Sequence, residues 1–153
     1  MRKNIIFLLT LILLTVSFPN DIYAMHHEDI EIEEEEQNIV LLMTEEIDLI
    51  ALVCLGEAEG ESELGKRLVI DTILNRMDSS KFPSTASEVC WQKGQFSCLH
   101  NGRCKRLTVT DEIRRLVIDE CIYRTNDEVL YFAAGGYNGK THLLKEGGHY
   151  FSK

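Results

Sequence analysis

Positive charge and long apolar runs are both scarce in this chain. Its 16 lysines and arginines stand against 25 aspartates and glutamates, for a formal net charge of −9. It carries no basic stripe of the kind phosphate neutralisation requires, which argues against nucleic acid as the main partner. The one extended apolar run, 5–16, is broken by Thr10 and Thr15 and is shorter than the roughly 20 residues a membrane-spanning helix needs. There is no internal repeat. With only two prolines and one tryptophan, few residues punctuate the chain or offer it a large ring.

The N-terminus has the layout of a signal peptide: Arg2 and Lys3, then the apolar run, then Ile22-Tyr23-Ala24. Residues 1–24 are therefore expected to direct export and to be removed after Ala24, so that contact with the membrane is transient. An uncleaved anchor is the rival reading. The acidic run that follows, from His26-His27-Glu28 through Glu33-Glu34-Glu35-Glu36, supplies most of the net charge. Like charges repel there and little apolar area offsets ordering, so 25–43 reads as an acidic flexible linker. The remainder, 44–153, is one domain's worth of chain.

Within that domain Ile47, Ile50, Ala51, Val53, Cys54 and Leu55 recur at helical spacing, predicting a helix over 44–59 with Thr44 as its cap. Gly56 and Gly60 loosen its end and leave Glu57 in or just after the last turn. A second helix is predicted over 62–77, capped by Ser62, and a third over 110–123. Between them, 78–106 lacks periodicity apart from a helical turn at 85–91. Val129-Leu130-Tyr131-Phe132-Ala133 reads as a strand, and His149-Tyr150-Phe151, beyond a glycine-rich turn, as its hairpin partner. The expected class is α+β, a mostly helical single domain with a small C-terminal β-hairpin.

Five cysteines cannot all pair. Cys98, His100 and Cys104, with Cys90 near, are the residue types of a tetrahedral zinc site. Their spacing matches no recognised finger, and in an exported chain a bridge from Cys98 to Cys104, or from Cys90 to Cys98, is simpler. Cys54 and Cys121 sit on apolar helix faces, where small buried hydrophobes are usual. No metal and no cofactor is implied.

Glu57, Glu59 and Glu61 alternate with small residues at the end of an apolar helix. A carboxyl whose pKa is raised by burial can donate a proton near neutral pH. Taken alone, glutamates at a helix end are mostly solvated. The wider string is more specific: Gly56-Glu57-Ala58-Glu59-Gly60-Glu61, Gly65, Leu74-Asn75-Arg76, Phe82-Pro83, Gly94-Gln95-Phe96-Ser97 and His149-Tyr150-Phe151. Over 47–151 the chain resembles the SleB/CwlJ-type cell wall hydrolases, which include spore-cortex-lytic enzymes.

That resemblance implies a fold related to lysozyme-like lytic transglycosylases, peptidoglycan glycan strands as the partner, and Glu57 as the catalytic acid. The implied reaction protonates the oxygen between N-acetylmuramic acid and N-acetylglucosamine, after which a sugar hydroxyl closes a 1,6-anhydro ring. Two-carboxylate hydrolysis is the other route. Glu61 is the nearest candidate for a second carboxylate, but it reads first as a structural residue that holds the loop between the helices. Gln95 and Phe96 are candidates to line a sugar groove, Phe96 equally a core residue, and Trp91 is either sugar platform or core plug. His149 could orient substrate or satisfy a backbone group. Asn75 and Arg76 read as a helix-end clamp supporting nearby loops. The chain departs from the family pattern at Gly56, where alanine is usual, in lacking a tryptophan ahead of His149, and in its stretch from Cys90 to Cys104. A zinc-dependent peptidoglycan amidase or peptidase, or a non-catalytic wall-binding module, are the competing functions.

Overall fold

The computed structural model describes residues 27–153, with side chains from residue 37 onward. The signal peptide expected over 1–24 lies outside the described residues. The described residues divide into two units, with the boundary between Glu45 and Glu46. Helix α1 (His27–Ala58) begins well before the expected Thr44. Thr44 is no cap, because its hydroxyl donates to the Val40 carbonyl at 2.8 Å, a bond made within a helix. The stretch read as a flexible linker over 25–43 is thus helical backbone from His27 on; glutamate is a good helix former, and that propensity runs against charge repulsion. Among the described residues no helix is long and apolar enough to cross a membrane.

In the second unit, α1 ends where expected and α2 (Glu63–Asp78) starts on Ser62, whose hydroxyl accepts the Gly65 N–H at 3.1 Å. Two short helices follow, α3 (Ala86–Cys90) and α4 (Ser97–His100), then a 3-10 turn at Cys104–Arg106 and α5 (Asp111–Ile122). Helix α2 is central: every residue from Leu68 to Arg76 is buried. Its apolar side chains meet Ile50, Val53 and Cys54 of α1, Val117 of α5, Phe96, Val129 and Phe151 in one core cluster.

A helix buried all round must find partners for its polar residues. Asn75 Nδ2 donates to the carbonyls of Asn126 and Val129 at 2.8 and 2.9 Å, and Arg76 Nε to that of Leu130 at 2.8 Å. Asp71 accepts the Asn126 N–H at 2.7 Å. These bonds fix the segment that enters β1 (Tyr131–Ala133). The helix-end clamp read from Asn75-Arg76 is what the two side chains form.

The C-terminus is a three-stranded antiparallel sheet rather than a hairpin. β1 pairs with β3 (His149–Ser152) as expected, Phe132 opposite Phe151, and β2 (His142–Glu146) adds to the other side of β3 in the order β1-β3-β2. A register irregularity between His142 and Leu144 interrupts the alternation by which β2 would have been recognised.

Candidate active site

Glu57 lies in the last turn of α1 and is half-buried. Its Oε1 accepts the Cys98 backbone N–H at 3.0 Å and the Ser97 hydroxyl at 3.3 Å, both from the start of α4. Among the described residues no hydrogen bond reaches Oε2. One carboxylate oxygen is anchored and the other is free.

The neighbouring carboxylates are occupied elsewhere. Glu59 is exposed and pairs with Arg103 Nη2 at 3.0 Å. Glu61 turns to the loop between β2 and β3, where both its oxygens accept the Gly148 N–H at 3.2 and 3.3 Å. Ser62 adds a second tie, its hydroxyl donating to Glu146 Oε1 at 2.7 Å. The loop joining α1 to α2 is thereby fastened to the sheet by Glu61, in the structural part expected of it.

The loop after α3 supplies the other candidates, with different fates. Phe96 is 1% exposed and packs against Phe132, ring centroids 6.2 Å apart. It belongs to the core, and its expected part in stacking on a sugar is corrected: a ring enclosed on both faces has none to offer. Trp91 is 52% exposed and meets His100 edge-on at 6.0 Å, so it is no core plug. Gln95 is exposed two residues before Ser97. His149 packs edge-on against Phe132 at 5.1 Å. Its Nδ1 is buried without a partner among the described residues, which sets aside the reading that it satisfies a backbone group through that atom. The ring series His149, Phe132, Phe96 connects the sheet to α4.

Arg76 is buried beneath this series. The rings of Phe82, Phe96 and Tyr131 lie 5.1, 5.5 and 5.5 Å from its Cζ, and burial pushes its guanidinium down to about 10. Aromatic faces and the Leu130 carbonyl stand where a carboxylate would be usual.

Cys98 and Cys104 form a disulfide, with Cα atoms 5.2 Å apart, while Cys54, Cys90 and Cys121 are free. Of the two pairings foreseen, the shorter loop is the one closed. Neither bridged sulfur is available as a thiolate, which removes two of the residues that motivated a zinc site.

A sequence profile described as Cell Wall Hydrolase matches residues 60–151. The chain belongs to that family. The spore cortex-lytic enzyme of Bacillus cereus is 35% identical over 74 residues, 48% of this chain and 28% of the relative. That of Oceanobacillus iheyensis is 36% identical over 74 residues, 48% of this chain and 26% of the relative. The chain thus spans little more than a quarter of the length of the curated relatives it matches. Among solved structures, the catalytic domain of the germination-specific lytic transglycosylase SleB from Bacillus anthracis superposes with a TM-score of 0.61 at 28% identity, covering 71% of this chain and 93% of that one. The catalytic domain of the Bacillus cereus SleB protein gives 0.62 at 29% identity, covering 71% and 89%. The α+β architecture of this cell wall hydrolase is that of the SleB catalytic domain.

Two features of this cell wall hydrolase escaped the sequence reading. One is the pair of groups on Glu57, since a backbone N–H carries no residue signature. The other is a buried carboxyl pair, Asp71 on α2 and Glu120 on α5, in which Asp71 Oδ1 accepts no hydrogen bond from a fixed donor among the described residues. Burial first, and the Glu120 hydrogen bond second, push the Asp71 carboxyl up to about 8. For Glu120 burial acts upward too, but hydrogen bonds from Asp71, Arg67 and Thr125 outweigh it and hold the carboxyl below its usual range. Arg67 Nη1 donates to Glu120 at 2.6 Å, and Thr125 N–H and Oγ1 at 2.6 and 2.9 Å. This pair braces α2 against α5.

Proposed function

We propose that this chain cleaves peptidoglycan glycan strands at the N-acetylmuramic acid to N-acetylglucosamine bond as a lytic transglycosylase, with Glu57 as its acid and base. The observation that carries the reading is the asymmetry of the Glu57 carboxylate: Oε1 held by Ser97 and Cys98, Oε2 without a partner among the described residues. In its acid form the free oxygen hands a proton to the glycosidic oxygen, and the C1–O bond breaks to leave an oxocarbenium-like sugar. The resulting carboxylate then takes the proton of the sugar's own 6-hydroxyl as that oxygen bonds to C1, closing the 1,6-anhydro ring. One carboxyl returns to its starting state with no water consumed.

The engagement of Glu59 by Arg103 and of Glu61 by Gly148 favours this route over one needing a second carboxylate across the bond. The exposed Trp91 offers a ring face to a pyranose, Gln95 an amide to an N-acetyl or hydroxyl group, and His149 on β3 a buried ring nitrogen. The SleB domains in the comparison are catalytic domains and the curated relatives spore cortex-lytic enzymes, which supports a wall glycan as substrate. The proposed organisation is an export signal over 1–24, an acidic connecting segment over 25–43 and the catalytic domain over 44–153, acting outside the membrane.

Muropeptide mass spectrometry after incubating purified peptidoglycan with the purified chain tests the reading. Anhydro-terminated products support it, reducing ends would make the enzyme a hydrolase, and binding without release would make it a wall-binding module. Glu57→Gln should abolish release with the fold intact; persistent release by that variant rules Glu57 out as the acid.

A further inference from the structure

Gly56 and the cysteine-bearing stretch meet at one point in space. Gly56 is buried inside α1, one residue before Glu57. A Cβ built there would overlap Cys98 Sγ, come within 2.5 Å of Cys98 Cβ and lie 2.8 Å from Cys104 Sγ. The disulfide therefore rests directly on the helix backbone, in a notch that only glycine leaves. An alanine at 56 would push the bridge out of this place.

The bridged segment holds α1 on either side of that notch. One turn earlier, Cys104 Sγ lies 3.6 Å from the Leu52 carbonyl oxygen; just beyond it, Arg103 pairs with Glu59 at 3.0 Å. Between them the Cys98 N–H and Ser97 hydroxyl sit on Glu57 Oε1. Its other ties are apolar: Phe96 just before it lies in the core and Leu99 packs against that core. Helix α4 has four residues, too few to persist by its own hydrogen bonds, and Ser97, His100, Asn101 and Arg103 are exposed.

We propose that the Cys98–Cys104 bridge, seated in the Gly56 notch, is the positioning device for Glu57: it fixes the two donors on Oε1 and so aims Oε2. The proposal rests on Glu57 as the acid. The activity then depends on the oxidation state of the bridge. A small dithiol supplies two electrons and two protons, turning the disulfide into two thiols while itself closing to a cyclic disulfide, and the Cys98 N–H is left on a segment held by the packing of Phe96 and Leu99 rather than by the bridge.

The test measures turnover of purified peptidoglycan by the purified chain, oxidised and after dithiothreitol, with thiols counted by alkylation and mass spectrometry. Reduction should lower kcat roughly tenfold or more while KM stays within about twofold, since misplacing a reacting group costs turnover rather than binding. Cys98→Ala/Cys104→Ala should match the reduced protein and ignore the dithiol. Gly56→Ala should lower kcat in the bridged protein and add little in the double-alanine background. Unchanged kcat in a chain whose bridge is demonstrably open overturns the proposal. If the double-alanine variant does not fold, Gly56→Ala with its bridge intact by mass and its circular dichroism native decides instead, and wild-type kcat there overturns it. Glu57→Gln in the same assay separates the two claims: if it is active, Glu57 is not the acid; if it is inactive while reduction has no effect, only the positioning role falls.

Discussion

Glu61 and Gly148 are joined across the molecule: both oxygens of the glutamate accept the glycine's backbone N–H, at 3.3 and 3.2 Å. Beside it Gly147 takes a positive φ of 52°, and a Cβ there would come within 2.9 Å of the Glu61 carboxyl carbon. Gly147→Ala should therefore destabilise the fold by about 1–2 kcal/mol from its left-handed backbone alone, with more from displacing Glu61. Urea midpoints check this. Glu61→Gln keeps one acceptor and should retain turnover within about tenfold of wild type, because a neutral hydrogen bond replaces a charge-assisted one roughly twice as strong, a loss of about 1 kcal/mol. A loss as deep as that of Glu57→Gln would bring Glu61 into the chemistry.

Phe96 and Trp91, five positions apart, should separate stability from binding. Phe96→Ala opens a cavity in the core and should cost about 3–5 kcal/mol. Trp91→Ala removes an exposed ring, so the urea midpoint should move little while KM for glycan strands rises. A Trp91 variant with wild-type KM would remove the ring from the substrate groove.

The Asp71 and Glu120 pair predicts a pH dependence of stability. Asp71 holds its proton to about pH 8 in the folded chain, against an ordinary value of 3.8. Between those limits the folded state binds a proton the unfolded state has released, so its stabilising contribution is full below about pH 4 and is lost as the pH rises to 8. Glu120, held below its ordinary 4.5, acts the other way and only on the acid side. Denaturant midpoints should thus fall between pH 5 and pH 8.5. Asp71→Asn, which cannot titrate, should flatten that slope; an unchanged slope would place its origin elsewhere.

The free thiols should be inert in the folded chain. Burial first pushes both Cys54 and Cys90 up to about 12, and the thiolate is the reactive form. Native protein at pH 8 should give no rapid alkylation at either position, and denatured protein should label both. Rapid native labelling of Cys90 would mean that the 86–90 helix opens.

Local patterns were legible where the physics is local. The cap at Ser62, the helical turn after Thr85, the apolar spacing of α1, α2 and α5, and the pairing of β1 with β3 follow from nearest-neighbour preferences and periodicity. Two kinds of feature were not. Strand β2 alternates poorly because of its register irregularity, and the 27–43 part of α1 is helical although its charges read as a tether. Gly56 looked like a loose helix end and is a buried contact, which local sequence cannot distinguish because a missing Cβ has no partner named beside it.

By itself the sequence determined the family, through a string of small and polar residues at set spacings, and with it the α+β class; Glu57 as the acid is the proposal that this string suggests. Only the tertiary structure decided which groups touch that carboxylate, that Phe96 is core, that Glu61 ties down a turn, and which two of five cysteines join. These are contacts between positions about 40 to 87 residues apart, apart from the bridge itself. Such contacts depend on how packed helices present their backbones, and backbone groups are identical at nearly every residue.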